Sequence, residues 1–172
     1  HLGIISIQKK EYKHAILCID KALAIKEDLQ GWLLKATVFD QMQKHENALV
    51  CFEKALEKNP NDIPTLYLTG LSANKCGKYE TALKYLDIVQ ENCPEDLNCM
   101  AQRAIALLFT GNPEQGESYL RHIVDSEPYN CKNWTELASF LVLQGKFLEA
   151  VDCYNQALQI NPEDRTTITF MA

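Results

Sequence analysis

The sequence predicts an all-α chain, an α-solenoid of tandem antiparallel helix pairs. Three series of residues carry that prediction. Small residues recur at Ala15, Ala48, Ala82, Gly116 and Ala150, spaced by 33, 34, 34 and 34. Asp28, Asp62, Asp96, Asn130 and Asp164 recur every 34 residues, and so do Pro60, Pro94, Pro128 and Pro162. A fixed period of this size marks a stack of one supersecondary unit, each packed mainly on its neighbours.

Each full unit reads as two helices. In 131–164, Trp134, Leu137, Ala138, Leu141 and Val142 recur at three- and four-residue steps, on one helical face. Gly145 breaks that helix. A second apolar set follows at Phe147, Ala150, Val151, Tyr154, Ala157, Leu158 and Ile160. Pro162 stops it, and Asp164 is placed to cap the next helix. Asp28, Asp62, Asp96 and Asn130 stand at the same capping position. Gly77 and Gly111 match Gly145 at the turn, where glycine reaches positive φ without strain.

The remaining units follow in order. Residues 1–28 read as a partial first repeat. His1, Leu2 and Gly3 match the middle of a first helix, and Tyr12, Ala15, Ile19 and Ala22 supply a second. Residues 29–62 place Trp32, Ala36 and Phe39 on the first helix and Ala48, Phe52 and Ala55 on the second. Residues 63–96 offer Leu66 and Gly70, then Ala82 and Leu86. Residues 97–130 diverge most. Arg103 stands at a leucine position, and Pro113 starts the second helix ahead of Gly116, Leu120 and Ile123. Residues 165–172 begin another first helix, with Met171 and Ala172 at its Leu and small-residue positions. The expectation is one continuous array over 1–172, a fragment of a longer one whose open ends permit end-to-end self-association. Small residues mark close helix crossings (Ala36, Gly70, Ala104 and Ala138 on first helices; Ala22, Ala55 and Ala157 on second helices). Trp32, Phe52, Tyr79, Trp134, Phe147 and Tyr154 fill the holes between.

The pattern W-x2-L-[GA]-x2-[YLF]-x8-A-x3-F-x2-A-x4-P, met in 131–164 by Trp134, Leu137, Ala138, Leu141, Ala150, Tyr154, Ala157 and Pro162, resembles the tetratricopeptide repeat. The resemblance covers the whole chain. It implies a right-handed superhelix with first helices lining a concave groove, and a scaffold whose function lies in its surfaces. The positions that vary in this family are the second, fifth, ninth, twelfth and thirteenth of each unit. In the middle of the groove they supply apolar Tyr67, Leu71, Ile105, Leu108 and Phe109. The reading that follows is a non-catalytic interaction module holding a peptide or helix of a partner protein. Tyr67, Leu71, Ile105 and Phe109 are its anchors, with Asn74, Lys75, Asn98, Gln102 and Lys132 as polar rim. A structural spacer or self-associating platform, and the targeting region of a larger enzyme, are the alternatives. Chaperone-binding members of the family clamp an acidic C-terminal tail with cations at set positions. Here those positions hold Tyr67, Leu71, Gln102, Lys132 and Glu136, or Leu33, Thr37, Leu68, Asn98 and Gln102. Neither set has the cationic pair, and Glu136 repels a carboxylate, so weak or no binding of such a tail is expected.

Composition agrees with a soluble protein of the cytoplasm. The chain has 172 residues, 47% hydrophobic and 23% charged, with a net charge of −6. No apolar run is long enough for membrane insertion, and the acidic balance argues against nucleic acid. No H-E-x-x-H, Walker A, G-x-S-x-G or G-x-G-x-x-G motif occurs, so no catalytic residue, cofactor or metal is expected. Asn133-Trp134-Thr135 is a formal glycosylation sequon with its tryptophan at a core position, and reads as accidental. Seven cysteines lack any C-x2-C pair and read as free, semi-buried thiols of a reducing compartment. Cys18, Cys51 and Cys153 share one repeat position and cannot all meet.

Overall fold

The computed structural model describes residues 2–163 and 167–169. Nine α-helices are defined among them: α1 (Leu2–Ile25), α2 (Leu29–Gln41), α3 (His45–Lys58), α4 (Ile63–Lys75), α5 (Tyr79–Asn92), α6 (Leu97–Phe109), α7 (Pro113–Ser126), α8 (Cys131–Leu143) and α9 (Phe147–Ile160). They group into two compact units, α1–α5 within His1–Pro94 and α6–α9 within Glu95–Ala172.

The helix boundaries follow the sequence signals. Asp28 caps α2 by accepting from the Gly31 N–H at 2.9 Å, and Asp62 caps α4 through the Thr65 N–H at 3.1 Å. Asp96 accepts from Asn98 and Cys99, and Asn130 from Lys132. The capping expected of Asp164, and the positions expected of His1, Met171 and Ala172, lie outside the described residues. Each first helix ends in the same way. The N–H two residues past the cap returns to a carbonyl five residues back: Lys44 to Phe39, Lys78 to Ala73, Asn112 to Leu107, Lys146 to Leu141. That closure needs one residue at positive φ. Gly77, Gly111 and Gly145 supply it at 71°, 88° and 76°. In the repeat 29–62, Gln43 does so at 59° without being glycine.

The first unit has its core around Ala36, Ala48, Cys51 and Phe52, with Trp32, Leu33 and Phe39 packed on it. A second cluster joins Ile19 and Leu23 of α1 to Val38 of α2. A Cβ on Gly70 would sit 2.6 Å from Leu86 Cγ, which is why the α4–α5 crossing takes glycine there. In the second unit, Leu120, Leu137, Phe140, Leu141 and Tyr154 pack with Ala104, Ala138 and Ala150 into one cluster. Side chains so enclosed are worth about 1.5–3 kcal/mol each. A Cβ on Gly116 would meet Ala104 O and Phe140 Cζ at 2.8 Å, so the α6–α7 crossing is also set by a missing side chain.

Three expectations are corrected. Leu2–Ile25 is one helix, not the remnant of a pair. Lys10 occupies the turn position in a run of good helix formers, and nothing breaks it. Ala22 and Cys18, at positions buried in α3 and α9, are exposed, because among the described residues no helix covers that face of α1. Phe147 and Val151, expected in the core, are exposed; Phe147 begins α9 where the chain leaves the Gly145 turn.

Candidate functional site

In the second unit a pocket of about 600 Å³ lies between α6 and α8. Helical spacing builds it. Ala101, Ile105, Leu108 and Phe109 line it from α6; Lys132, Thr135, Glu136, Ser139 and Leu143 line it from α8. Apart from the adjacent pairs Leu108–Phe109 and Thr135–Glu136, these are steps of three and four, which share a face. Leu120 and Phe140, both buried, close the floor, and Cys131 lines one end. Ile105, Phe109 and Leu143 leave much of their surface open to water, at 39%, 52% and 65%.

The wall is less polar than its composition suggests. Thr135 Oγ donates to Cys131 O at 3.0 Å and lies 2.7 Å from Thr167 Oγ. Ser139 Oγ donates to Thr135 O at 2.8 Å and lies 3.2 Å from Tyr154 OH. Both hydroxyls are occupied within the protein, so their carbon atoms extend the apolar surface. The charged groups on the lining are Lys132 and Glu136, one turn apart with Nζ–Oε1 at 3.5 Å.

The sequence-predicted residues divide between the units. Ile105, Phe109 and Lys132 come together at this pocket. Asn98 and Gln102 stand on α6 outside its lining. Tyr67, Leu71, Asn74 and Lys75 stand on α4 of the first unit, where Tyr67, Leu71 and Asn74 are half-buried. Lys75 is engaged: its ammonium donates to both oxygens of Asp40 at 3.0 Å, and Asp40 also holds His45 Nδ1 at 2.7 Å. Partial burial would raise the Asp40 carboxyl, but Lys75 and His45 outweigh it and hold it below the ordinary range. Leu120, Cys131 and Phe140 were missed as lining residues. Their sequence signal is the core pattern itself, which does not tell a buried floor from a buried interior.

Burial pushes the thiols of Cys51, Cys76 and Cys153 up, keeping them protonated and inert. Among the described residues, no group of three or more His, Cys, Asp or Glu is arranged to hold a metal ion, and no helix is long and apolar enough to cross a membrane.

Tandem helix pairs whose first helices are capped and end on a residue at positive φ define a helical-repeat scaffold. Comparison with known proteins agrees. The family model for the anaphase-promoting complex, cyclosome, subunit 3, matches residues 8–89, and that for the tetratricopeptide repeat matches residues 131–164. Human tetratricopeptide repeat protein 7A is 28% identical over 132 residues, 76% of this chain and 15% of that protein. A TPR repeat-containing protein of Methanocaldococcus jannaschii is 22% identical over 174 residues, 95% of this chain and 30% of that one. The chain thus spans less than a third of the length of either relative. Among solved structures, MamA from Desulfovibrio magneticus RS-1 matches with a TM-score of 0.79 at 18% identity, covering 95% of this chain and 93% of that one. YrrB, described as a TPR protein with an unusual peptide-binding site, matches at 0.76 and 19% identity, covering 98% of this chain and 87% of that one. The chain thus carries tetratricopeptide repeats, by the model match over 131–164 and the relatives named for that repeat. That fold is in general a protein–protein interaction module and typically non-catalytic.

Proposed function

We propose that this chain is a non-catalytic binding module, one array of repeats that holds a peptide or helix of a partner protein mainly by apolar contacts. The observation that carries this reading is the open apolar pocket lined by Ile105, Phe109 and Leu143. Its volume of about 600 Å³ lies in the range of formed ligand sites. Large exposed apolar side chains at a concavity are costly in a monomer and mark a partner surface. Ile105 and Phe109 are the anchors, with Lys132, Asn98 and Gln102 as polar rim. Tyr67, Leu71, Asn74 and Lys75 on α4 are the residues the first unit offers for the same role. Lys75 contributes there only by exchanging Asp40 for a partner carboxylate.

The test uses a displayed library of helical peptides selected on the chain. Selected peptides are then titrated against the parent and a Phe109→Gln/Leu143→Gln variant. The parent should bind them at least ~10-fold more tightly, the loss of a central anchor being worth 2 kcal/mol or more at a typical interface. Equal affinity for parent and variant would remove the pocket as the site. Both positions are mostly exposed, so the variant should melt like the parent.

A further inference from the structure

We infer that the pocket between α6 and α8 takes a cationic amphipathic segment, one with apolar residues one helical turn apart and a Lys or Arg within two turns of them. This deepens, and rests on, the reading of the pocket as a partner site.

Charge carries the first part of the argument. Residues 95–172 hold 11 Asp and Glu against 5 Lys and Arg, whereas residues 1–94 hold 12 of each. The whole net charge of −6 therefore lies in the stretch that owns the pocket. Three of those five cations are committed internally. Arg103 donates to Tyr119 OH at 2.8 Å and lies over its ring. Arg121 and Lys146 converge on Glu117, and Arg121 also reaches Glu149. Net negative charge on the stretch that holds the pocket favours a positive partner at long range.

Geometry carries the second part. Lys132 is 78% exposed, and its 3.5 Å approach to Glu136 is too long for a strong hydrogen bond. An exposed pair of this kind is worth little, so an incoming cation can replace Lys132 at the Glu136 carboxylate. Glu136 sits on the wall seven residues from Leu143, about 10 Å along α8. The apolar wall from Ala101 to Phe109 runs about 12 Å, enough for two side chains one turn apart. A second copy of this chain, carrying the same net negative charge, is disfavoured as occupant, and an acidic segment meets Glu136 directly.

The experiment uses the full 172-residue chain and three labelled peptides of about 14 residues, four helical turns. All share the same apolar residues; the flanking positions carry Lys and Arg, Gln, or Glu. Fluorescence anisotropy at about 50 mM salt should rank the cationic peptide first, ~10-fold or more above the glutamate peptide, with the difference shrinking severalfold at about 500 mM. Glu136→Lys should reverse that order, while Phe109→Gln should weaken all three. If the Gln peptide binds as well as the cationic one and still needs Phe109, the charge inference fails and the pocket reading survives. If no peptide binds, or Phe109→Gln changes nothing, both fall. A concentration-dependent mass abolished by Phe109→Gln, with no peptide competition, would assign the pocket to a second copy and overturn the inference.

Discussion

The two units are cut from one repeat and differ most at the last turn of their first helices. There the first unit carries Asp40 with Gln41 and Asn74 with Lys75; the second carries Leu108 with Phe109 and Val142 with Leu143. In the first unit this turn is cross-linked, Lys75 on α4 donating to Asp40 on α2. In the second, the same positions carry apolar side chains. Leu108, Phe109 and Leu143 border the pocket, and Val142 is left partly exposed. The capping residues, the turn and the small residues are nearly the same in both. The difference teaches that the repeat frame and the surface chemistry are carried by separate positions, so one can change without disturbing the other.

The largest effect should come where the units agree. Trp32 and Trp134 hold the same repeat position, each half-buried against its own unit's core. Trp134 also donates to Pro128 O at 2.8 Å. Replacing either by alanine should cost about 3 kcal/mol, the low end for a tryptophan because neither ring is fully enclosed. Urea unfolding followed by circular dichroism measures both. A loss below about 1 kcal/mol in one alone would show that the units are not equivalent in packing.

A smaller effect should separate them. Glu117 occupies the position of Leu49 in the first unit, and both are buried. Burial would raise the Glu117 carboxyl; hydrogen bonds from Lys146 at 2.6 Å and from Arg121 outweigh it and hold it below the usual value of 4.5. A depressed carboxyl stabilises the fold above its unfolded value, and that stability is lost as pH falls through the folded value. The parent should therefore exceed Glu117→Gln by about 1–2 kcal/mol at neutral pH. The gap should narrow below pH 4.5. Unfolding midpoints across pH measure it, and a gap independent of pH would mean that the charge of Glu117 contributes nothing.

The smallest effect lies at the turns. Gln43 holds the positive φ that glycine holds at 77, 111 and 145. Gln43→Gly should gain about 0.5–1 kcal/mol, and Gly111→Ala should lose a similar amount or more. Shifts of the same sign in thermal melts would break the equivalence of the four turns.

Much of this frame is legible in the chain, because helix boundaries depend on local chemistry. A cap needs a short oxygen-bearing side chain, a turn needs positive φ, and a close crossing needs a small residue. Where the reading failed, the missing information was distant. Ala22 and Cys18 repeat the pattern of Ala55 and Cys51, but burial depends on a neighbouring helix, and among the described residues none covers that side of α1. Gln43 gives no local sign of the left-handed conformation that the α2–α3 connection imposes on it. Lys75 reads as a free rim cation until Asp40, 35 residues earlier, is found beside it.

Period, repeat boundaries and helix caps are thus properties of the sequence alone, since each follows from groups within a few residues of one another. The tertiary structure decided which of the apolar groove residues form a pocket, that Thr135 and Ser139 turn their hydroxyls inward, and that Glu117 is held buried between two cations. These depend on groups about one repeat apart in the chain, or across a helix pair, meeting at hydrogen-bond or van der Waals distance, and only packed helices bring them there.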